Sequence, residues 1–491
     1  MADPSIDEQI NAALAPASAA FSEAVFFKIS LLGVEVPLVV LWLVGGALFF
    51  TLYFRGINLR GIPLAMRILK GEFDEKDAVG EISHFEALTT ALSGTVGIGN
   101  IGGVAVAISV GGPGATFWMI VAGLLGMATK FIECTLGVRY RRVNDDGSVS
   151  GGPMFYLRQG LVERGMPNVG RALGTFYAGG IVIGCLGIGN MFQANQAFVQ
   201  LRAVTGGEEG LLGGMGWAVG LVLAVLVGAV IIGGIGAIAK VTARLVPLMA
   251  VLYLGGTLTV IAMHASALPE AIGAIIDGAF TGSGVAGGAI GAAVVGMQRA
   301  VFSNEAGIGS ASIAHAAVRT NRPATEGHVA LFGPFLDTVV ICTLTALTIG
   351  VATVTWPDFM SSGAEGVAMT SDAFGRTVSW FPIPLAFIAV LFAVSTMISW
   401  AYYGMKGWAY LFGEAQRTRR VFAVIFCVFV AIGASIKLEA VLNFSDAMVF
   451  VLCVPNVLGL VLLAPVVRDE LASLRHRAAE IEGKPNAKGP A

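Results

Sequence analysis

Two short glycine-rich stretches place polar residues in the middle of hydrophobic segments. They are SGTVGIGNIGG at residues 93–103 and FSNEAGIGS at residues 302–310. Lipid offers no hydrogen-bond partners, so a loosened helix persists in a bilayer only where protein or a water-filled cavity satisfies its freed N–H and C=O groups. One such break in each half of the chain is typical of a secondary transporter whose site lies at the breaks.

The first break is suited to hold a carboxylate and a small cation. Exposed amides at the end of a half-helix attract an anion, and freed carbonyl oxygens coordinate a cation. We predict that the Ile98 and Gly99 amides bind a carboxylate, and that the Val96 carbonyl and the Asn100 side chain bind cation or substrate. Close packing of small residues is the alternative, although the polarity of this segment exceeds what packing needs. The predicted substrate residues here are Thr95, Gly97, Ile98, Gly99 and Asn100, with Val96 as a sodium ligand.

The second break carries an ionisable side chain. Ser303, Asn304 and Glu305 stand beside its glycines, and Arg299 precedes them by about one turn. An ionisable group in mid-membrane costs about 2.5–3.5 kcal/mol on insertion scales, which favours a function for it. We predict that Glu305 binds a substrate ammonium group, attracts the cation or carries a proton. Two structural alternatives weigh equally: an ion pair with Arg299, or a carboxylate that accepts hydrogen bonds from exposed amides.

Polar side chains in two further apolar segments complete the predicted site. Asn190 and Gln193 lie three residues apart and so share one helix face. Ser395 and Thr396 offer hydroxyl oxygens suited to a hard cation, and Trp400 is placed to close over a small ligand. The alternatives are hydroxyls bonded to the preceding turn and a tryptophan that anchors the helix at the membrane interface.

The amino-acid composition indicates that these segments lie in a lipid bilayer. Hydrophobic residues make up 56% of the 491 residues and charged residues only 13%, well below the roughly 25% charge of a soluble domain. We predict an all-α polytopic membrane protein that binds membrane lipid and no nucleic acid. The spacing of the 5 cysteines and 5 histidines matches no metal motif, no nucleotide-binding loop is present, and no nucleophile–base set suggests an enzyme. Lys130 and Glu133 are predicted to form a structural ion pair.

About eleven apolar segments are long enough for a hydrocarbon layer of roughly 30 Å. We number them spans 1 to 11. They cover residues 36–54, 85–110, 115–137, 172–197, 212–237, 244–263, 288–317, 328–352, 382–405, 421–437 and 440–466.

The basic residues predict the orientation of these spans, because cytoplasmic connections retain Lys and Arg. Basic residues are frequent after spans 1, 3, 5, 7, 9 and 11, and the other connections hold little beyond Lys28, Arg202, Arg376 and Lys437. This alternation predicts an outer N-terminus and a cytoplasmic C-terminus. Spans 2 and 7 then cross in opposite directions, yet both carry a Gly-Ile-Gly core, at residues 97–99 and 307–309. The pattern indicates a five-plus-five inverted repeat with one extra N-terminal helix.

The predicted organisation has three parts. Residues 1–35 form an extracytoplasmic or interfacial segment, in which residues 20–32 have the spacing of an amphipathic helix that lies on the membrane or packs against the bundle. The transporter domain covers residues 36–466, with the first helix at 36–54 and the repeats at 85–263 and 288–466. Residues 467–491 form a cytoplasmic tail, predicted as a short charged helix from Asp469 followed by a disordered Gly/Pro stretch.

Five ordered motifs resemble the alanine or glycine:cation symporter family. They are SGTVGIGNIGGVAVAISVGGPGATFWM, SGGPMFYL, IGNMFQANQ, RAVFSNEAGIGSASIAHA and STMISWAYYG, within residues 36–466. The resemblance implies a leucine-transporter-type fold, sodium coupling, and uptake of glycine or alanine across a bacterial or archaeal cytoplasmic membrane. The second break and the Ser395–Thr396 pair are also similar to segments of the wider neurotransmitter:sodium symporter class. That resemblance places Phe302 and Ser303 at the substrate and assigns Ser395 with Thr396 to sodium.

The predicted function is therefore sodium symport of glycine, alanine or both by alternating access, with Na⁺ as coupling ion and no organic cofactor. Ile98 stands where the family frequently has Thr, which leaves the choice between glycine and alanine open. A proton-coupled carrier with Glu305 as the proton relay is one alternative, and a channel is another. The sequence sets no oligomeric state, and a monomer would suffice for this function.

Overall fold

The computed structural model describes residues 6–31, 33–75, 77–281, 288–435 and 439–482. The predicted Gly/Pro stretch at the C-terminus and Lys437 lie outside these residues. Helices dominate the described chain, and its strands form two antiparallel hairpins, β1 (Lys28–Leu31) with β2 (Val34–Pro37) and β3 (Arg142–Val143) with β4 (Val149–Ser150). The prediction of an all-α membrane protein is confirmed.

The helices of the first half run from α1 to α12. They are α1 (Ile6–Val25), α2 (Leu38–Tyr53), α3 (Ile57–Arg60), α4 (Ile62–Leu69), α5 (His84–Thr95), α6 (Val104–Gly111), α7 (Ala115–Arg139), α8 (Pro153–Glu163), α9 (Pro167–Leu186), α10 (Phe192–Val204), α11 (Gly216–Ile231) and α12 (Gly234–Met263). Wide π turns cover Gly99–Gly103 and Gly187–Met191, and a 3₁₀ turn covers Gly207–Glu209.

The helices of the second half run from α13 to α22. They are α13 (Leu268–Thr281), α14 (Gly288–Asn304), α15 (Ala311–His315), α16 (Pro323–Ala330), α17 (Phe332–Pro334), α18 (Thr343–Thr355), α19 (Val367–Thr377), α20 (Pro382–Phe412), α21 (Gln416–Ser435) and α22 (Glu439–Ile481). A third π segment covers Phe335–Cys342, and 3₁₀ turns cover Ala265–Ala267 and Phe359–Ser361.

Eleven spans are consistent with these helices. By length and composition, 7 of the described helices can cross a membrane, or up to 9 if each bent pair counts as one span. The two remaining predicted spans are the shorter apolar helix α11 and span 7, which is divided between α14 and α15.

The N-terminal segment differs from its prediction. The helix covers Ile6–Val25 rather than residues 20–32, and residues 28–31 form a strand instead. The reason is the turn at Gly33, whose φ of 84° lets β1 pair with β2. Helix α1 packs against α22, where the Ser18 hydroxyl donates to the Ala440 carbonyl oxygen at 2.6 Å. Packing against the bundle, one of the two alternatives, is therefore observed.

Both predicted breaks are present. Helix α5 begins in a capping box at Ser83 and ends where Val96 turns to extended backbone, and the following helical segment is bent from α5 by 55°. Helix α14 ends at Asn304, and the chain then passes through positive φ at Glu305, Gly307 and Gly309. Glycine tolerates this left-handed backbone, which explains the glycine content of the second break.

The segment before α5 and the segment after α15 are tied together at the end of the bundle that the basic residues predict to be cytoplasmic. Ile82 pairs with Val318 in a parallel bridge, and the Arg319 amide donates to the Ile82 carbonyl oxygen at 2.8 Å. The Arg141 guanidinium donates to four carbonyl oxygens from both segments. The buried Glu326 carboxylate lies between the imidazoles of His84 and His315 and contacts both. This set of contacts is called the basal clasp below.

Candidate functional site

Asn100 connects the two breaks. Its side-chain oxygen accepts a hydrogen bond from the Gly97 amide at 2.7 Å, which caps the loosened turn. Its side-chain nitrogen donates to the Ser303 hydroxyl at 3.0 Å and to the Asp337 carboxylate at 2.6 Å. Asn100 is completely buried. Spans 2, 7 and 8 therefore meet at this one amide group.

Asp337 contacts the centre of the candidate site and was not among the predicted residues. It lies in the π segment Phe335–Cys342, and such wide turns occur frequently at functional sites. The hydroxyls of Ser303 and Thr338 donate to its carboxylate at 2.8 and 2.7 Å. The signal was present in the sequence, because Asp337 is an acidic residue inside an apolar span, where the cost of insertion argues for a function.

Glu305 and Asn304 organise the second break. Glu305 has a φ of 55°, and its carboxylate accepts a hydrogen bond from Ser310 within the same break. The Asn304 side chain donates to the Thr338 hydroxyl at 3.0 Å and accepts from the Ala306 amide at 3.0 Å.

In the described part of the chain, Arg299 forms no ion pair with Glu305 and interacts electrostatically with Asp446 instead. The Arg299–Glu305 ion pair, one of the structural alternatives, is therefore wrong.

The second break is held by a buried carboxylate from span 3. Glu133 Oε1 accepts from the Gly307 amide and from the Asn456 side chain, both at 2.9 Å. Asn456 also donates to the Gly307 carbonyl oxygen at 2.8 Å, and the Tyr177 hydroxyl donates to the Ile308 carbonyl oxygen at 2.9 Å. Glu133 and Lys130 interact electrostatically, but among the described residues they form no direct ion pair within 4.0 Å. Glu133 bonds to the second break instead, so the predicted direct pair is not observed.

Two oxygens without hydrogen-bond partners converge on the first break. A Cβ atom added to Gly97 would lie 2.9 Å from Thr396 Oγ1 and 4.0 Å from Gln193 Oε1. Both oxygens are buried, and neither has a partner among the described residues. A buried acceptor without a partner is costly, so this arrangement favours a ligand that supplies the missing partner. A small cation fits a set of converging oxygens.

The side chains of Ser395 and its neighbour Thr396 point in different directions. The Ser395 hydroxyl donates to the Phe392 carbonyl oxygen at 3.0 Å in its own helix and lies 3.6 Å from the Met249 sulfur. Its bond to the preceding turn is the structural alternative named above. In this structure Thr396 faces the break and Ser395 faces α12.

Trp400 is part of the core. It is 1% exposed, and its Nε1 donates to the Gly94 carbonyl oxygen at 3.2 Å. It packs directly on Gly189, where an added Cβ would lie 2.2 Å from Trp400 Cγ, so only glycine permits this contact. The interfacial anchor, the alternative for Trp400, is therefore wrong.

The other predicted residues surround this centre. Asn190 donates to the Phe426 carbonyl oxygen at 2.8 Å, and the Thr95 hydroxyl donates to the Leu92 carbonyl oxygen at 3.3 Å. Phe302 packs against Phe450 with 5.6 Å between ring centroids. Ile98 is buried, and a Cβ added to Gly99 would meet no neighbour within 4 Å, so there is room beside the Gly99 backbone. The residues that these contacts bring together at the centre are Gly97, Asn100, Gln193, Ser303, Asp337 and Thr396. Val96 precedes Gly97 in the break, and its side chain lines an apolar pocket.

Comparisons with known proteins agree with this architecture. The model of the sodium:alanine symporter family matches residues 20–487. The sodium/alanine symporter AgcS of Methanococcus maripaludis is 38% identical over 436 residues, which cover 88% of this chain and 93% of that protein. The probable sodium/glutamine symporter GlnT of Bacillus subtilis is 32% identical, with 88% and 86% covered. The crystal structure of MhsT in complex with L-phenylalanine has the same fold, with a TM-score of 0.56, 16% identity, and 78% and 89% covered.

Proposed function

The chain belongs to the sodium:alanine symporter family, a family of cation-coupled amino-acid transporters, and from this premise we propose that it imports glycine, alanine or both with sodium by alternating access. The observation that carries the proposal is the pair of unpartnered oxygens, Thr396 Oγ1 and Gln193 Oε1, at Gly97 in the first break. Loosened backbone in a broken helix supplies further oxygens for a sodium ion in transporters of this design.

The amino acid is proposed to bind beside the sodium ion at the first break. Its carboxylate accepts hydrogen bonds from the Ile98 and Gly99 amides, and the open space at Gly99 supports a ligand there. Its ammonium group is proposed to lie toward Ser303 and Glu305. The limited room among these packed helices favours a small side chain.

Access to this site requires a conformational change. Asn100, Thr396 and Gln193 are 0%, 3% and 5% exposed, so the proposed sodium site is buried, whereas Thr95 and Gly99 beside it are partly exposed. Sodium drives transport only if it binds one of the alternating states more tightly than the other, since equal affinity shifts no population. Each positive charge moved inward gains about 2.3 kcal/mol per 100 mV of membrane potential.

Uptake into proteoliposomes tests the proposal. Radiolabelled glycine or alanine is added to proteoliposomes of the purified protein. Uptake is measured under an inward sodium gradient and, separately, under an inward proton gradient without sodium. Saturable accumulation with sodium alone is the expected result, and unlabelled glycine, alanine and glutamine then rank the substrates by competition. Absence of sodium-driven uptake of either labelled amino acid would refute the proposed function.

Thr396 and Ser395 provide a matched pair of substitutions. We expect Thr396→Val to raise the sodium concentration for half-maximal uptake about tenfold, because it removes one oxygen from the proposed cation site at nearly constant volume. Ser395→Ala is expected to change this concentration less than twofold, because its hydroxyl is directed at α12. Sodium titrations of initial uptake rates measure both, and equal effects of the two substitutions would contradict the assignment.

A proton-coupled carrier is the second candidate, and Glu305 is the observation that favours it. Its carboxylate is buried in the second break, beside the site. If a proton is the coupling ion, Glu305→Gln abolishes uptake driven by the proton gradient, and wild-type uptake needs no sodium. If sodium is the coupling ion, as we propose, Glu305→Gln retains sodium-driven uptake at a rate lowered by no more than about tenfold. Uptake measured under each gradient separates the two mechanisms.

A further inference from the structure

An apolar groove runs along the outer surface of the helix pair α11 and α21. Its volume is about 510 Å³. Helix α11 contributes Leu221, Ala224, Val225, Gly228 and Ile232, the last just beyond its end, and α21 contributes Arg420, Ala423, Val424, Cys427, Val428 and Ala431. We call this feature the α11–α21 groove.

Small residues allow the two helices to approach closely and leave the groove between their larger side chains. A Cβ added to Gly220 would lie 2.6 Å from the Ala431 carbonyl oxygen, and one added to Gly228 would lie 3.1 Å from the Cys427 sulfur. The rims are exposed: Val225, Ile232 and Val424 are 63%, 75% and 64% exposed. In an integral membrane protein, such an apolar exposed surface is covered by hydrocarbon.

The length of the groove corresponds to one leaflet of a bilayer. Leu221 and Ile232 are eleven positions apart, which is about 16 Å along a helix at about 1.5 Å per residue. Half of a hydrocarbon layer of roughly 30 Å is about 15 Å. The groove ends at Arg420, on the side that the basic residues predict to be cytoplasmic. It therefore extends from about the bilayer centre to the level of the lipid headgroups.

Arg420 gives the headgroup end of the groove a positive charge. It is exposed and forms no hydrogen bond or ion pair within the described ranges, whereas the adjacent Arg419 is paired with Glu414 at 2.7 Å. A guanidinium group matches the geometry of a phosphate oxygen pair. We propose that the α11–α21 groove binds an anionic phospholipid, with one acyl chain along the groove and the phosphate group on Arg420.

Native mass spectrometry tests this site by measuring which lipids stay bound when the whole protein is released from micelles of a mild detergent. Phosphatidylglycerol and phosphatidylcholine with identical acyl chains are added at equal concentration, and we expect preferential retention of one phosphatidylglycerol. One basic residue near an anionic lipid contributes about 1 kcal/mol, so Arg420→Gln is expected to lower the retained fraction about fivefold. Arg417 is also exposed and lies on the same helix but does not line the groove, so Arg417→Gln is expected to change the retained fraction less than twofold.

A second variant tests the acyl chain. Ala423→Phe fills the groove and leaves the guanidinium in place, so it is expected to lower retention of both lipids at least fivefold, provided that size-exclusion profile and Tm match the wild type. Equal loss for Arg417→Gln and Arg420→Gln would overturn the proposal, because binding would then follow surface charge. A dimer that disappears in Ala423→Phe would overturn it too, since a second copy of the chain would then occupy the groove.

Discussion

Replacement of Asp337 by asparagine is expected to lower sodium-driven uptake by at least about 100-fold. The Asp337 carboxylate receives hydrogen bonds from Asn100, Ser303 and Thr338, and thus holds spans 2, 7 and 8 in one geometry. An asparagine side chain removes the negative charge and presents an N–H group to neighbours that donate. Loss of a charged hydrogen-bond acceptor in a buried site costs about 3 kcal/mol, which corresponds to about a 100-fold effect at 1.4 kcal/mol per tenfold.

Asp358→Asn is the control for this experiment. Asp358 also accepts side-chain hydrogen bonds, in an ion pair with Arg376 at 2.9 Å, but its side chain is 70% exposed. Surface ion pairs contribute about 0–1 kcal/mol, so uptake by this variant is expected to stay within about twofold of the wild type. Initial uptake rates of both variants, normalised to protein in the vesicles, give the comparison. Wild-type rates in Asp337→Asn would remove the carboxylate from the transport site.

Gly97→Ala is expected to reduce uptake to a few per cent of the wild-type rate at saturating sodium. The added methyl carbon would lie 2.9 Å from Thr396 Oγ1, within the space that we assign to the sodium ion. Gly97 is not among the positive-φ glycines, so alanine causes no backbone strain there. Thr396 must shift to admit the methyl group, so the Tm without sodium is measured first, and we expect the further rise of Tm on addition of sodium to vanish.

Gly103→Ala separates the effect of position from that of a lost glycine. Gly103 ends the π segment that follows the same break, also outside the positive-φ set, and a Cβ there would meet no neighbour within 4 Å. We expect this variant to transport within about twofold of the wild type and to keep its sodium-dependent shift in Tm. If both alanine variants lose transport equally, the general flexibility of the broken span, not a cation beside Gly97, explains the result.

The sequence predicts the fold well because lipid imposes strong constraints on it. Apolar length locates the spans, and polar glycine-rich segments locate both breaks, because the bilayer allows few exceptions. The resemblance to the symporter family and the leucine-transporter-type fold are confirmed. The bounds were less accurate outside the bilayer: α22 continues without interruption to Ile481, where a separate tail helix from Asp469 was predicted.

The site was predictable in its composition but not in its contacts. Asn100, Gln193 and Thr396 were selected as candidates because polar residues are rare in apolar spans. Spacing could not show that Thr396 faces the break while Ser395 faces α12, because adjacent residues differ by about 100° around a helix and the rotation of a helix depends on its neighbours. Asp337 was missed because its segment has no glycine-rich break to attract attention.

The basal clasp restricts how the bundle can open at the end that it closes. The clasp includes four backbone hydrogen bonds between the segment before span 2 and the segment at the end of span 7, and four bonds from the Arg141 side chain to carbonyl oxygens of these segments. At about 0.5–1.5 kcal/mol net per bond, pulling the inner half of span 2 away from that of span 7 costs several kcal/mol. Moving both halves together keeps the backbone hydrogen bonds between them, and it keeps the contacts with Arg141 and Glu326 only if the ends of spans 3 and 8 that carry these residues move as well. The two half-helices are therefore coupled: a movement of one of them at this end of the bundle moves the other with it.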